Sequence, residues 1–140
     1  VIYRSFCVNV RHQKKEKVQY LNQREVGTRQ ENRAAEYLET LGYHILERNF
    51  RCQFGEIDLI AKQEDTYVFI EVKYRAGRMT GDPASAVDWK KQRKISKTAD
   101  YYRMLHKIPV DQSCRFDVVA ETPEEIHVYM NAFYYQGSGW

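Results

Sequence analysis

Two stretches of the chain read as neighbouring β-strands, and each carries charged residues inside an otherwise apolar run. They are Gly55-Glu56-Ile57-Asp58-Leu59-Ile60-Ala61 and Val68-Phe69-Ile70-Glu71-Val72-Lys73. The polar segment 63–65 between them is short enough to close an antiparallel hairpin. Because side chains alternate faces along a strand, Glu71 and Lys73 share one face, with Asp58 on the adjacent strand. The sequence therefore predicts a sheet in which two carboxylates and an ammonium group lie side by side.

These charges are typical of a metal site that acts on phosphate. Charge in a half-buried sheet is costly unless it has a partner or a bound ion. Mg²⁺ prefers a few carboxylates that leave room for water and phosphate oxygens. A lysine beside such a site can orient water or stabilise developing negative charge when a phosphodiester is cleaved. The alternative is that Asp58, Glu71 and Lys73 form a structural ion-pair cluster.

A third acid is predicted on a helix. Apolar residues with helical spacing indicate a helix from Arg24 to Leu41, and Gly42 supplies a stop. Glu31 falls on the apolar stripe, so we expect its carboxylate to point into a cleft between helix and sheet. The alternative is that Glu31 leans out to water or pairs with Arg29, Arg33 or a lysine.

Basic residues are concentrated after these acids. Between Lys73 and Lys97 they greatly outnumber acidic ones, which suits a polyanionic partner because neutralised phosphates release counterions. A solvated helix face is the alternative. Candidates for contact with nucleic acid are Arg75, Arg78, Lys90, Lys91 and Lys94. Two further polar residues, Glu56 and Gln92, are candidates for an outer shell, although pairing of Glu56 with Arg51, Arg75 or Lys73 is the favoured reading.

The remaining patterns predict an α/β (α+β) fold with the order α-β-β-β-α-β-β, a mixed sheet flanked by helices. The further predicted elements are a strand within Tyr43–Gln53, strands Glu56–Ala61 and Tyr67–Arg75, a helix Ala84–His106 with a Ser85–Asp88 capping box, and strands Cys114–Glu121 and Glu125–Phe133. The segment Gly77–Pro83 has the composition of a loop. We expect a basic arm over residues 1–23, one domain over 24–134 and a tail over 135–140.

Composition narrows the class of protein. A chain of 140 residues is long enough for one core. Its apolar runs are too short for a membrane span, and the first residues are too interrupted for a signal peptide. The three cysteines, Cys7, Cys52 and Cys114, lack zinc-site spacing and read as free thiols. We therefore expect a cytoplasmic protein with no membrane partner.

The chain resembles the YraN family of predicted endonucleases, in the restriction-endonuclease-like superfamily, over roughly Glu25–Phe133. Besides the two strand stretches, the matching residues are Gly27, Glu31–Ala35, Leu38, Gly42-Tyr43, Ile45-Leu46, Asn49-Phe50-Arg51, Tyr74-Arg75, Gly81, Pro83, Ala86-Val87, Lys90, Lys94-Ile95, Cys114–Val119 and Asn131-Ala132-Phe133. The superfamily signature is an Asp followed on the next strand by Glu-x-Lys. It often has a Pro before the Asp, where this chain has Ile57.

The resemblance implies a metal centre and its roles. Glu31, Asp58, Glu71 and the backbone carbonyl of Val72 would hold Mg²⁺ or Mn²⁺, with Lys73 positioning or activating the attacking water. The chain is also similar to archaeal Holliday junction resolvases, which act as dimers, so a homodimer is one expected state.

The predicted function is a metal-dependent endonuclease that hydrolyses DNA phosphodiester bonds, with branched or single-stranded DNA preferred as substrate. The alternative is a non-catalytic nucleic-acid-binding module on the same fold. The sequence contains no helix-turn-helix or zinc-finger pattern, so recognition would depend on backbone charge and shape. DNA versus RNA, and one metal versus two, stay open.

Overall fold

The computed structural model describes residues 27–76 and 87–137. Residues 27–40 form helix α1. The other elements are β1 His44–Cys52, β2 Gly55–Gln63, β3 Thr66–Tyr74, α2 Trp89–Leu105, β4 Cys114–Glu121 and β5 Ile126–Phe133. The predicted order of elements is thereby confirmed. The predicted basic arm, the Gly77–Pro83 loop and the last residues of the tail lie outside the described residues.

The five strands form one mixed sheet in the order β1-β2-β3-β4-β5. Neighbours are antiparallel except β3 and β4, which run parallel and are joined through α2. The predicted hairpin between β2 and β3 is confirmed, with pairing from Gln63–Thr66 to Leu59–Ile70. Beyond Leu59 and Ile70, β2 and β3 no longer pair with each other. On their other sides β2 stays paired with β1, and β3 stays paired with β4. We call this divergence, bordered by Asp58 and Glu71, the fork.

The two helices cover opposite faces of the sheet. Along β3, Val68 and Ile70 pack in the core under α1, whereas Phe69 packs under α2. Both faces of β3 are therefore buried, which explains why its sequence is a continuous apolar run. Because Glu71 follows Ile70, the alternation directs its side chain to the α2 side of the sheet. Neither helix, within the part of the chain that the structure describes, has the length and apolar character needed to cross a bilayer.

Helix α2 begins later than the sequence indicated. Residues 87 and 88 are not helical, and α2 starts at Trp89 with Asp88 as its N-cap, so the predicted start at Ala84 is wrong. Asp88 has an extended backbone, and its carboxylate accepts the Lys91 N–H at 2.8 Å. Asp88 therefore acts as the cap itself, where the sequence had suggested the acid of a box begun by Ser85.

Backbone irregularities shape β1 and the start of β2. Asn49 has a φ of 53°, and the register of β1 shifts between Ile45 and Glu47. Gly55 has a φ of 151°, and a Cβ at this position would lie 3.2 Å from the Thr98 hydroxyl. Glycine is required here because the turn approaches α2 closely. This contact fixes the β1–β2 hairpin against the helix that carries the basic residues.

Candidate active site

At the fork, a backbone N–H is hydrogen-bonded to a side chain and not to the neighbouring strand. The Asp58 carboxylate accepts a hydrogen bond from the backbone N–H of Val72 at 2.8 Å. The last residues paired between β2 and β3 are Leu59 and Ile70, and Asp58 directly precedes the first while Glu71 directly follows the second. The sequence prediction that these acids lie on neighbouring strands is consistent with this placement, and the strand register fixes their relative position.

Glu71 is buried and only partly satisfied. Its side chain is 5% exposed, and Oε1 lies 3.0 Å from the Lys73 Nζ and 3.5 Å from the Lys91 Nζ. Oε2 is buried and has no hydrogen-bond partner among the described residues. Both ammonium groups therefore contact one oxygen of this carboxylate, and the other oxygen is a buried acceptor without a hydrogen bond. A buried carboxylate oxygen without a partner is costly, so this position is suited to a further cation or donor.

The two acids affect each other electrostatically. Burial, and next the nearby charge of Glu71, raise the pKa of Asp58 to about 7. The Val72 N–H acts in the opposite direction because it stabilises the ionised carboxylate. Glu31 also raises this pKa and Lys91 lowers it, so both lie within electrostatic reach of Asp58. Perturbed carboxyl groups of this kind are enriched at functional sites.

Glu31 is the outlying member of the predicted acid set. Its side chain is half-buried, and Oε2 accepts a hydrogen bond from the Asn49 Nδ2 at 3.0 Å. The alternative that Glu31 pairs with a cation is not what the described residues show, since its hydrogen-bond partner is the side-chain amide of Asn49 on β1. No group of three or more His, Cys, Asp or Glu side chains within ranges 27–76 and 87–137 is arranged to hold a metal ion.

The donor set nevertheless fits a divalent cation at the fork. The unpartnered Glu71 Oε2 and the carboxylate of Asp58 are hard oxygen donors, which Mg²⁺ and Mn²⁺ prefer. Two acids whose proximity raises the pKa of one of them are stabilised together by a positive ion. The pair at the fork is the part of the predicted centre that the structure brings together, and Glu31 acts on Asp58 electrostatically.

The predicted basic residues divide into two groups. Lys91 lies at the acid pair, in contact with Glu71, whereas Arg75, Lys90 and Lys94 are exposed. Arg78 lies outside the described residues. The exposed group supplies positive charge around the fork without contacting it.

The two outer-shell candidates have structural partners. Glu56 pairs with Arg51, whose Nε lies 3.1 Å away, as the favoured reading of the sequence had it. Gln92 donates from Nε2 to the Val87 carbonyl at 2.8 Å, which connects the segment just before α2 to the first turns of the helix. Both contacts account for these side chains without assigning them a role at the acid pair.

Sequence reasoning missed one buried acid. Glu121 is fully buried, and neither of its carboxylate oxygens has a hydrogen-bond partner among the described residues. The Arg33 Nη1 lies 3.9 Å away and donates to the Thr122 carbonyl at 2.8 Å. Burial raises the pKa of Glu121. The signal that singled out Asp58, a charge in an apolar strand, was also present at the end of β4.

The fold and the site together define an α/β protein whose mixed sheet lies between two helices and carries a buried acid pair, with two lysines, at a fork between strands. Comparison with known proteins identifies the family. Residues 30–120 match the model of the uncharacterised protein family UPF0102. The chain belongs to this family, which confirms the resemblance to the YraN family.

Individual relatives cover most of the chain. A UPF0102 protein of Lachnoclostridium phytofermentans is 45% identical over 84% of this chain and 100% of its own length. One of Caldicellulosiruptor saccharolyticus is 43% identical over 79% of this chain and 87% of its own. One of Persephonella marina is 44% identical over 76% and 91%. The names of these relatives state no activity, so the function has to be argued from the site.

Proposed function

We propose that this protein is a divalent-metal-dependent endonuclease that hydrolyses phosphodiester bonds in DNA. The observation that carries the proposal is the acid pair at the fork: Asp58 and Glu71 on diverging strands, with a buried and unpartnered Oε2 on Glu71 and the Lys73 ammonium 3.0 Å from Oε1. A structural ion pair would satisfy both oxygens of the carboxylate. This arrangement leaves one of them for a ligand.

The residues that would hold Mg²⁺ or Mn²⁺ are Asp58, Glu71 and the backbone carbonyl of Val72, with Glu31 as a third carboxylate. A bound divalent cation supplies polarisation of a phosphoryl oxygen and a more acidic water. The fork contributes placement: Val72 N–H holds one oxygen of Asp58 at 2.8 Å, which fixes the orientation of this carboxylate. Two acids without a cation would repel a phosphate, so a site kept only for binding DNA has no need of them.

Lys73 is the proposed catalytic lysine. Its side chain is 32% exposed and shares the Glu71 Oε1 with Lys91. The ammonium group is therefore held at the edge of the acid pair and also reaches solvent, where a substrate phosphate would arrive. From this position it can donate a hydrogen bond to the attacking water or to a non-bridging oxygen as negative charge develops.

The exposed basic residues support a polyanionic substrate. Lys90 and Lys94 are exposed on α2, whose Lys91 contacts Glu71, and Arg75 is exposed just beyond β3. Cations arranged around a buried acid pair attract a phosphate backbone to the edge of the site while the acids stay covered.

The test is cleavage of labelled flapped, branched and linear DNA by purified protein with Mg²⁺ or Mn²⁺. We expect products that disappear in Asp58→Asn, Glu71→Gln and Lys73→Ala. The matched control is Asp65→Asn, because Asp65 lies in the turn at the other end of the same hairpin and its side chain is 93% exposed. Cleavage that persists in all three site variants would refute the proposal, since it would have to come from another enzyme.

A second function is favoured by one observation. The exposed cations Arg75, Lys90 and Lys94 are independent of the acid pair, so the same fold can bind nucleic acid without cleaving it. A non-catalytic binding module predicts salt-sensitive association with DNA that Asp58→Asn leaves unchanged or strengthens, and no products with any divalent metal. The cleavage assay and a binding titration at two salt concentrations distinguish the two functions.

A further inference from the structure

An exposed tryptophan stands at the beginning of the basic helix. Trp89 is the first residue of α2, and 57% of its surface is accessible to solvent. A large aromatic ring in water is unfavourable, and indole rings of this exposure are enriched where a partner binds. The core of α2 lies on another side, formed by Ile95, Ala99 and Tyr102.

The ring is surrounded by cations. Helical spacing places Trp89, Arg93 and Lys97 on one stripe, with Lys90 and Lys94 beside it. The Arg93 guanidinium lies 5.6 Å from the centre of the Trp89 ring, which is a cation–π contact. This contact restricts the motion of the indole and leaves the ring exposed.

The first turn of α2 connects this surface to the acid pair through a lysine. Lys91 belongs to the same first turn of α2, and its Nζ lies 3.5 Å from the Glu71 Oε1. The Asp88 carboxylate caps this turn through the Lys91 N–H, so the turn that presents the indole is fixed in place. Trp89 and the lysine that contacts Glu71 therefore belong to one capped helical turn.

The charges around Trp89 favour a nucleic acid over a protein as the partner of this surface. An apolar protein surface would meet ammonium and guanidinium groups around the ring and would have to desolvate them. An unpaired nucleotide has a flat base that stacks on an indole and a phosphate that pairs with a neighbouring cation, which is how single-stranded nucleic acid is bound. Bases inside a duplex are already stacked and cannot offer a free face.

We propose that Trp89 stacks on an unpaired nucleobase of the substrate, with Arg93 and the lysines of α2 on the flanking phosphates. This inference rests on the proposed function and names its substrate class: nucleic acid with single-stranded character next to the scissile bond, such as a flap or a branch point. Trp89 is a specificity-determining residue in this arrangement, and the acid pair does not depend on it.

Fluorescence of Trp89 tests the proposal without cleavage. The chain has two tryptophans, so Trp140→Phe leaves Trp89 as the sole indole. In EDTA, titration of this protein with a single-stranded oligonucleotide should quench the fluorescence saturably, and a blunt duplex of equal length should quench it far less. The complementary single-tryptophan protein, Trp89→Phe, should show no comparable quenching.

The binding affinity of Trp89 variants for single-stranded and duplex DNA is a second test. Trp89→Ala should weaken binding of the single strand by about 5- to 100-fold and leave duplex binding nearly unchanged, whereas Trp89→Phe should fall between wild type and Ala. The matched control is Met104→Ala on the same helix, where another apolar side chain is 63% exposed at the opposite end. Circular dichroism of each variant checks that the fold is retained.

The outcomes separate this inference from the nuclease proposal. Quenching by single strands with no cleavage under any metal would support the role of Trp89 and defeat the nuclease. Cleavage without quenching, or an equal loss of single-strand and duplex binding in Trp89→Ala, would overturn the inference and leave the nuclease intact. A fluorescence change that follows protein concentration in the absence of DNA would also overturn it, because Trp89 would then be buried against a second copy of the chain.

Discussion

The Asp58 carboxylate takes the place of a strand partner for Val72: it accepts the Val72 N–H at 2.8 Å where β2 and β3 have separated. The fork therefore keeps a satisfied backbone donor at the point where a ladder hydrogen bond is lost. The same contact orients one acid of the pair against the strand that carries the other. One hydrogen bond thus satisfies the backbone at the fork and orients a carboxylate of the candidate site.

The first prediction concerns pH. Burial and Glu71 raise the pKa of Asp58 from 3.8 to about 7, so the folded protein binds this proton more tightly than the unfolded chain. The resulting stability is fully present below about pH 4 and is lost as the pH rises to about 7, with a maximum loss of about 4 kcal/mol. Urea denaturation in EDTA between pH 4 and 8 measures this dependence.

Asp58→Asn should remove most of that dependence and stabilise the metal-free protein near neutral pH, because an amide oxygen can still accept the Val72 N–H. Asp65→Asn is the control, since Asp65 is an exposed acid in the turn of the same hairpin. Equal pH profiles for wild type and Asp58→Asn would contradict the assignment of the raised pKa to this carboxyl group.

The second prediction separates the two lysines at Glu71. Both ammonium groups contact the Glu71 Oε1 and repel an incoming cation, so Lys73→Met and Lys91→Met should each tighten Mn²⁺ binding by roughly 3- to 10-fold. The Lys73 substitution alone should lower turnover by about 10²- to 10⁴-fold. Calorimetric titration with Mn²⁺ and single-turnover cleavage measure the two effects.

A comparable loss of turnover in both lysine variants would refute a specific catalytic role for Lys73. Weaker Mn²⁺ binding in either variant would mean that the cation binds elsewhere than beside Glu71.

The third prediction compares two glycines with positive φ. Gly55→Ala should destabilise the protein by about 2–4 kcal/mol, because its φ is 151° and the new Cβ would lie 3.2 Å from the Thr98 Oγ1. Gly42→Ala should cost only about 1 kcal/mol, since its φ is 88° but nothing lies within 4 Å of the added Cβ. Thermal denaturation followed by circular dichroism ranks the two, and equal losses would contradict the close packing of the hairpin on α2.

The fourth prediction concerns a buried polar network on the α1 side of the sheet. Asp117 is fully buried and accepts hydrogen bonds from the Tyr43 hydroxyl at 2.8 Å, the Arg115 Nε at 3.0 Å and the Asn131 N–H at 2.8 Å. Asp117→Ala should cost about 3–5 kcal/mol because it leaves Arg115 without its charged partner. Tyr43→Phe removes the hydroxyl that donates to Asp117 and accepts from the Arg115 Nη2 at 3.0 Å, and it should cost about 1–3 kcal/mol. Chemical denaturation measures both, and a smaller loss for Asp117→Ala would show that the network is not what holds β5 to β4.

Much of the fold could be read from the sequence because its central strands are apolar on both faces. Cys114–Glu121 was predicted with the bounds that β4 has in the structure. The start of α2 was not, because Ser85 and Asp88 have the spacing of a capping box and sequence does not show which residue is the cap. Tertiary contacts decide such ends.

Contacts of the candidate site between residues of one strand could be predicted, because strand alternation fixes their side chains. Contacts between residues of different elements could not. The Glu71–Lys73 contact follows from the two-residue repeat of a strand. The contact of Lys91 with Glu71 joins residues on different elements, so the sequence suggested only a basic helix nearby. That Glu31 belongs to a metal centre stays a prediction, and its hydrogen bond with Asn49 again joins two elements whose contact no local sequence pattern indicates.

Both acids of the pair belong to one hairpin, whereas the tryptophan and the exposed lysines belong to α2, so the proposed chemistry and the proposed recognition depend on different elements that meet at Lys91. If both proposals hold, substitutions on the outer surface of α2 will change which nucleic acid is bound and leave the spacing of the carboxylates untouched. An engineer could therefore exchange that surface between family members, keep Lys91, and expect the acid pair to be inherited intact.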